Sequence, residues 1–199
     1  MSARDDVLTR IRSAVSGAAP AGAVVRSYRV NYDDESVIDR FAERVADYKA
    51  TVRRVSREGL AAAIAEEVAD RRVGIPAGLP LEWVAGLDTV TDAPPLSISD
   101  LDALDGAVTG AKLGIAETGT IVLDGSEVCG RRALSLVPDW HLCVVEEAAV
   151  VNSVPQAVAG LPPQAPITFI SGPSATSDIE LNRVEGVHGP RTLIMLLVG

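Results

Sequence analysis

The sequence predicts an α/β protein with a mixed β-sheet and covering helices. Segments typical of buried strands alternate with segments that carry apolar residues at helical spacing, and this order favours a mostly parallel sheet. Hydrophobic residues make up 47% of the 199 residues and aromatic residues only 4%, which indicates a core of aliphatic side chains. A chain of this length buries a sizeable core without disulfides or metals, so we predict one domain over residues 1–199.

The first hundred residues supply helices and short strands in turn. Apolar residues at helical spacing predict helices at 2–16, 33–48 and 56–72, and short apolar runs predict strands at 51–55, 73–75 and 88–91. A segment of glycine, alanine and proline follows the first helix. We therefore expect residues 1–22 to form a helix and a linker. The helix is either detached from the body or packed against it.

Strands dominate the second half of the chain. Apolar runs predict them at 107–116, 120–123, 141–145, 167–170 and 192–198, with helices at 130–137 and 154–159. A tight turn after residue 116 would pair the first two of these strands in antiparallel fashion. This pairing makes the predicted sheet mixed.

Charge and hydropathy exclude several classes of protein. The net charge is −9 and the basic residues are scattered among acids, so we expect no nucleic-acid partner. The longest apolar run, near 193–198, is far shorter than the roughly 20 residues of a membrane span. The first residues carry no apolar targeting segment. We therefore expect a cytoplasmic protein whose two cysteines, Cys129 and Cys143, stay reduced in the core.

A polar turn interrupts what is otherwise one buried apolar stretch, 114–123. The turn is Glu117, Thr118, Gly119 and Thr120, and its carboxylate, hydroxyls and glycine suit the presentation of polar groups to a small ligand. Glu117 has three interpretations: a general base or nucleophile, a group bonded to its own turn, or a salt-bridge partner. It is the best single catalytic candidate.

A second polar turn opens from the predicted strand 167–170. It contains Ser171, Gly172 and Ser174, and Asp178 and Glu180 follow where a helix can begin. If both turns lie at the carboxyl edge of one sheet, they face a shared crevice. We take that crevice as the predicted functional site.

Histidines and arginines give further candidates. His188 lies in a glycine-containing loop before the last strand, where it acts as an acid or base or else bonds a loop carbonyl. His141 is predicted to be structural. Arg131 and Arg132 either clamp an anion or lie in solvent. The cysteines and histidines have irregular spacing, so no metal site is predicted.

Four motifs resemble the LUD-domain family. They are residues 114–123; Gly130-Arg131 with the segment 135–138 and His141; Ser171-Gly172-Pro173-Ser174 with the segment 178–180; and the segment 186–190 around His188. The resemblance covers roughly residues 106–199. It departs at Ala175, where family members commonly carry arginine, and this weakens the expectation of an anion contact there.

The resemblance implies a fold and a role. The fold would be like that of the sugar-phosphate isomerase and CoA-transferase superfamily: a Rossmann-like sheet with flanking helices and a small antiparallel lobe. The role would be the oxidation of L-lactate to pyruvate with iron–sulfur partner subunits, which would hold the clusters since this chain has two cysteines. The site residues that it implies are Glu117, Thr118, Gly119, Thr120, Ser171, Gly172, Ser174, Asp178, Glu180 and His188.

Three functions remain open from the sequence. The first is a subunit of a lactate-oxidising system that binds a small anion or a partner segment in the crevice. The second is a freestanding acyl-CoA transferase or sugar-phosphate isomerase that uses Glu117 as nucleophile or base. The third is a non-catalytic scaffold whose polar turns dock partners.

Overall fold

The computed structural model of the chain describes residues 2–19, 22–25, 27, 36–176, 184–185 and 188–199. Its α-helices are α1 (Ala3–Val15), α2 (Val37–Asp47), α3 (Leu60–Val68), α4 (Ile98–Asp102) and α5 (Val154–Gly160). Its strands are β1 (Thr51–Val55), β2 (Val73–Ile75), β3 (Thr89–Thr91), β4 (Gly106–Gly110), β5 (Leu113–Ile115), β6 (Thr120–Leu123), β7 (Trp140–Glu146), β8 (Val150–Val151), β9 (Thr168–Ile170), β10 (Ala175–Thr176), β11 (Val184–Glu185) and β12 (Thr192–Val198).

Six parallel strands form the main sheet, in the order β1-β12-β7-β4-β2-β3. The central strands β7 and β12 are apolar along almost their whole length because both of their faces are covered. Leu142 and Val144 point into one core layer with α3. Cys143 and Val145, which alternate with them, point into the opposite layer with α2.

A second sheet of four strands, in the order β8-β5-β6-β9, lies against the α2 side of the main sheet. The strands β5, β6 and β9 pair in antiparallel fashion, and β8 adds in parallel. Ile121 of β6 faces the layer shared with α2, and Val122 faces a small core beneath α5. The predicted α/β class, with a Rossmann-like sheet, flanking helices and a small lobe with antiparallel pairing, is confirmed.

Two details differ from the prediction. The apolar stretch 107–116 is two strands, since the chain leaves the main sheet after β4 and enters the small sheet at β5. Gly110 marks the departure: its amide donates to the carbonyl of Val128 at 2.9 Å, and a Cβ there would lie 2.6 Å from the Val128 side chain. The predicted helix at 130–137 is a series of turns.

The first helix has no buried residue. Ser2 caps α1 through a capping box, as its position before Asp5 favours, and the apolar side chains Val7, Ile11 and Val15 are each more than half exposed. Across the described ranges, no helix is both long and apolar enough to cross a membrane.

Candidate functional site

A small cleft of about 130 Å³ opens beside the amino-terminal ends of β7 and β12. Three loops border it: the turns at 132–135, the segment 171–174 that follows β9, and the segment 188–190 that precedes β12. His141 of β7 and Leu193 of β12 form part of its wall. The cleft therefore lies at the amino end of these central strands of the main sheet. The two polar turns follow β5 and β9, whose carboxyl ends lie at one edge of the small sheet, as the sequence suggested.

The second predicted turn lines this cleft directly. Ser171, Gly172 and Ser174 are lining residues, and so is His188, whose side chain is exposed. The amide of Ser174 donates to the carbonyl of Pro190 at 2.8 Å, and the amide of His188 donates to Ser174 Oγ at 2.9 Å. These two hydrogen bonds join the loops on either side of the cleft.

The first predicted turn meets the second through hydroxyl groups. Thr118 Oγ1 lies 2.7 Å from Thr120 Oγ1, which lies 2.7 Å from Ser171 Oγ. Thr118, Gly119 and Thr120 do not themselves border the cleft. The two turns thus adjoin, as the sequence predicted, and only the second borders the open space.

Both turns pack on the carboxyl end of α2. Gly119 has φ +59°, and a Cβ there would lie 2.6 Å from the backbone carbon of Arg44. Gly172 has φ +100°, and a Cβ there would lie 2.6 Å from the Cβ of Tyr48. Glycine is required at both positions by the conformation and by the close approach.

Glu117 lies outside the cleft. Its Oε2 accepts a hydrogen bond of 3.1 Å from the amide of Val154, in the first turn of α5, and its own amide donates to the carbonyl of Asn152. A carboxylate at this position stabilises the positive end of a helix. This hydrogen bond engages one of the two carboxylate oxygens of Glu117. The predicted residues Asp178 and Glu180 lie outside the described residues.

His141, which the sequence analysis predicted to be structural, is buried and also forms part of the cleft wall. It is 1% exposed, and its Nε2 lies 2.8 Å from the hydroxyl of Thr109. Its Nδ1 is buried and has no hydrogen-bond partner among the described residues. Burial, together with the positive charge of Arg132, lowers the pKa of His141 to about 4, so the ring is neutral at pH 7.

The two adjacent arginines have different roles. Arg131 makes a bidentate ion pair with Asp92, at 2.6 and 2.9 Å, and anchors the loop after β3. Arg132 lines the cleft, and its Nη1 donates to the buried hydroxyl of Ser135 at 3.3 Å. Partial burial lowers the pKa of Arg132. No acidic side chain in the described ranges forms an ion pair with it.

The cysteines are buried thiols, as predicted. Cys129 and Cys143 are free, and burial raises the pKa of both, that of Cys143 to about 12. The described part of the chain contains no group of three or more His, Cys, Asp or Glu side chains placed to hold a metal ion.

The fold and the cleft define an α/β protein with a small polar pocket beside its central strands. The family model of the LUD domain matches residues 98–198, and the chain belongs to this family. The resemblance noted from the sequence motifs is thereby confirmed. The matched region contains every element that borders the cleft.

One similar protein extends this relationship over nearly the whole chain. Lactate utilization protein C from Deinococcus radiodurans is 43% identical over 203 residues, which cover 99% of this chain and 96% of that protein. Lactate utilization protein C from Geobacillus kaustophilus is 36% identical over 138 residues, 63% of this chain and 57% of that protein. A crystal structure of a DUF162 family protein from Deinococcus radiodurans superposes with a TM-score of 0.70 at 39% identity, over 82% of this chain and 96% of that one.

Proposed function

We propose that this protein is a subunit of a system that oxidises L-lactate to pyruvate, and that its cleft binds a small anionic ligand. The observation that carries the proposal is the 43% identity, over nearly the full length of both chains, to a protein named lactate utilization protein C. The charge and hydrogen-bonding groups of the cleft are compatible with a lactate-derived anion.

The polar groups of the cleft support an anionic ligand. Arg132 brings a guanidinium group with no described acidic partner, and the hydroxyl of Ser135 holds it in place. Ser171 and Ser174 also line the cleft. A cation and neutral donors that converge on a small space are the usual means of binding a carboxylate.

Electron transfer would require partner subunits. Oxidation of L-lactate to pyruvate removes two electrons and two protons from the substrate. An iron–sulfur cluster is usually held by four cysteines, and this chain has two, both buried. We therefore assign the clusters that accept the electrons to partner subunits.

Growth of a deletion strain tests the proposal. Cells that lack the gene are expected to stop growing on L-lactate and to grow normally on pyruvate, because only the oxidation step is lost. A plasmid copy of the gene should restore growth on L-lactate. Unchanged growth of the deletion strain on L-lactate would contradict the proposal.

Purification from the native host tests the partner assignment. The tagged protein is expected to retain subunits that contain iron and acid-labile sulfide when cells grow on L-lactate. The matched control is the same tag expressed alone. Recovery of the protein without iron or sulfide above this control would overturn the assignment.

A further inference from the structure

We propose that α1 pairs in antiparallel orientation with α1 of a second copy of this chain, through an apolar stripe that contains Leu8, Ile11 and Val15. Each chain would contribute one helix of 13 residues, about 20 Å long. The pairing is independent of the proposed function, because no residue of α1 borders the cleft.

Helix α1 makes its described polar contacts within itself and with its own cap. Ser2 and Asp5 form the capping box, and Nη2 of Arg10 lies 3.3 Å from Oδ2 of Asp6. None of the hydrophobic core clusters in the described part of the chain includes a residue of α1. A helix of this length is only marginally stable in water by itself, so a partner that covers its apolar side would stabilise it.

The apolar side chains of α1 form one stripe along the helix. Leu8, Ile11 and Val15 are spaced by three and four residues, which places them on one side of the helix. Val7 lies one turn before Ile11 and widens the stripe. Val7, Ile11 and Val15 are each more than half exposed. A narrow stripe with this spacing is typical of the seam at which two helices pack side by side.

The charges beside the stripe favour an antiparallel copy of the same helix. Asp5 and Arg12 are seven residues apart and therefore lie on the same flank of the stripe. In a parallel pair, each would lie level with the same residue of the other chain, and like charges would repel. In an antiparallel pair, Asp5 lies near Arg12 of the second copy, and two-fold symmetry makes this contact twice. The hydrogen bonds from Ser2 lower the pKa of Asp5, which keeps the carboxylate charged at neutral pH.

A membrane surface matches the stripe less well than a second copy does. Helices that bind lipid surfaces are rich in lysine and arginine on their polar face, because the lipids are often anionic. Helix α1 carries two aspartates beside its three arginines, and the whole chain has a net charge of −9. The mixed charges suit a partner that carries both signs, as the same helix does.

Sedimentation equilibrium of the purified full-length protein tests the pairing. A series from about 1 to about 300 μM is needed, because a small interface gives a weak and reversible complex. Ile11→Asp places a charge in the stripe. Ser13→Asp adds the same charge on the opposite side of the same helix and is the matched control. Both variants should fold, because no residue of α1 is buried.

The wild-type protein and Ser13→Asp are expected to form a reversible dimer. The dissociation constant should rise at least about tenfold in Ile11→Asp, because the new charge would be buried in an apolar seam. Removal of residues 2–16 should leave a monomer. A wild-type protein that is monomeric throughout the series would overturn the inference, and so would a dimer that persists in Ile11→Asp or after the truncation. A monomer that loses its iron–sulfur partners on truncation would instead assign the stripe to those partners.

Disulfide cross-linking tests the orientation of the two helices. Arg4→Cys and Val15→Cys place thiols at opposite ends of the stripe, about 16 Å apart along the helix axis, and the two native cysteines are buried. An antiparallel pair should give cross-linked dimers when the two variants are mixed and oxidised, and few when either is oxidised alone. Efficient cross-linking of each variant with itself would overturn the antiparallel arrangement.

Discussion

His141 is the residue whose environment departs most from that of a histidine in water. Burial and the charge of Arg132 lower its pKa to about 4, against roughly 6.5 in an unfolded chain. Between these values the unfolded chain takes up a proton that the folded chain does not. The contribution of His141 to stability is thus complete above pH 6.5 and is lost as the pH falls towards 4.

A pH series of unfolding experiments checks this linkage. From pH 6.5 to 4.5, we expect the free energy of unfolding of the wild-type protein to fall by roughly 1 kcal/mol per pH unit more than that of His141→Gln, because one proton is taken up on unfolding. Urea denaturation at pH 7.5, 6.5, 5.5 and 4.5 measures the difference. Parallel curves for the two proteins would show that the pKa of His141 does not change on folding.

In Asp92, unlike in His141, hydrogen bonds outweigh the effect of burial on the pKa. Burial alone raises the pKa of Asp92, but the hydrogen bonds from Arg131 and from the amide of Leu96 outweigh it and leave the pKa below its usual value. The contribution of this carboxylate to stability is present above about pH 3.9, its unfolded pKa, and is lost as the pH falls through the lower folded value.

Replacement of Asp92 by asparagine should cost about 2 kcal/mol of stability at pH 7, because the side chain is only 4% exposed and its loss leaves Arg131 without its counter-charge. The difference in the free energy of unfolding between Asp92→Asn and the wild-type protein should narrow at pH 3. Asp88→Asn is the control, since Asp88 is 68% exposed and 3.8 Å from Arg72, and we expect almost no change. If the loss of stability in Asp92→Asn did not vary with pH, it would not come from the charge of Asp92, which would contradict the prediction.

Among the elements, the carboxyl end of α2 is the surface on which both polar turns rest. Gly119→Ala should destabilise the protein by about 1–3 kcal/mol through overlap with the backbone of Arg44, beyond the cost of its positive φ. Gly86→Ala measures the cost of the positive φ alone, because Gly86 has φ +80° and open space around it. Thermal denaturation compares the stabilities of the two variants. Equal losses of stability would show that Gly119→Ala has no cost from close packing against α2.

Helix α1 should contribute little to the stability of the body, because none of its residues is buried. We expect removal of residues 2–16 to change the free energy of unfolding by less than about 0.5 kcal/mol. Phe41→Ala, in the buried face of α2, is the positive control and should cost about 3–5 kcal/mol. A comparable loss from the truncation would mean that α1 packs on the body in solution.

Hydrophobic periodicity predicted the strands β1 and β12 to the residue and the presence of the helices α2 and α3, although α3 begins four residues later and ends four residues earlier than predicted. It failed at 107–116, where a continuous apolar run does not encode which sheet each half joins. It also failed at 130–137. There the turns are fixed by contacts such as that of Arg131 with Asp92, which lies 39 residues earlier.

In the whole molecule, contacts between distant segments assemble the cleft, and this sets the limit of prediction from sequence. The motif of Ser171, Gly172 and Ser174 was found because small polar residues follow an apolar strand, although that strand, β9, is partly exposed instead of buried as expected. Glu117 was conspicuous for the same reason, yet its carboxylate bonds the amide of Val154, a partner that no local pattern reveals. His141 was predicted to be structural, and its place in the cleft wall arises from the packing of β7 against β4 and the cleft loops, which no local pattern reveals.

The central claim is that the cleft beside β7 and β12 is the site through which this protein serves lactate oxidation. Complementation of the deletion strain by Arg132→Gln, at wild-type protein levels, tests it most directly. The account predicts that this variant fails to restore growth on L-lactate, whereas Arg72→Gln restores it fully. Full growth with a stable Arg132→Gln protein would contradict the claim and place the function elsewhere on the molecule.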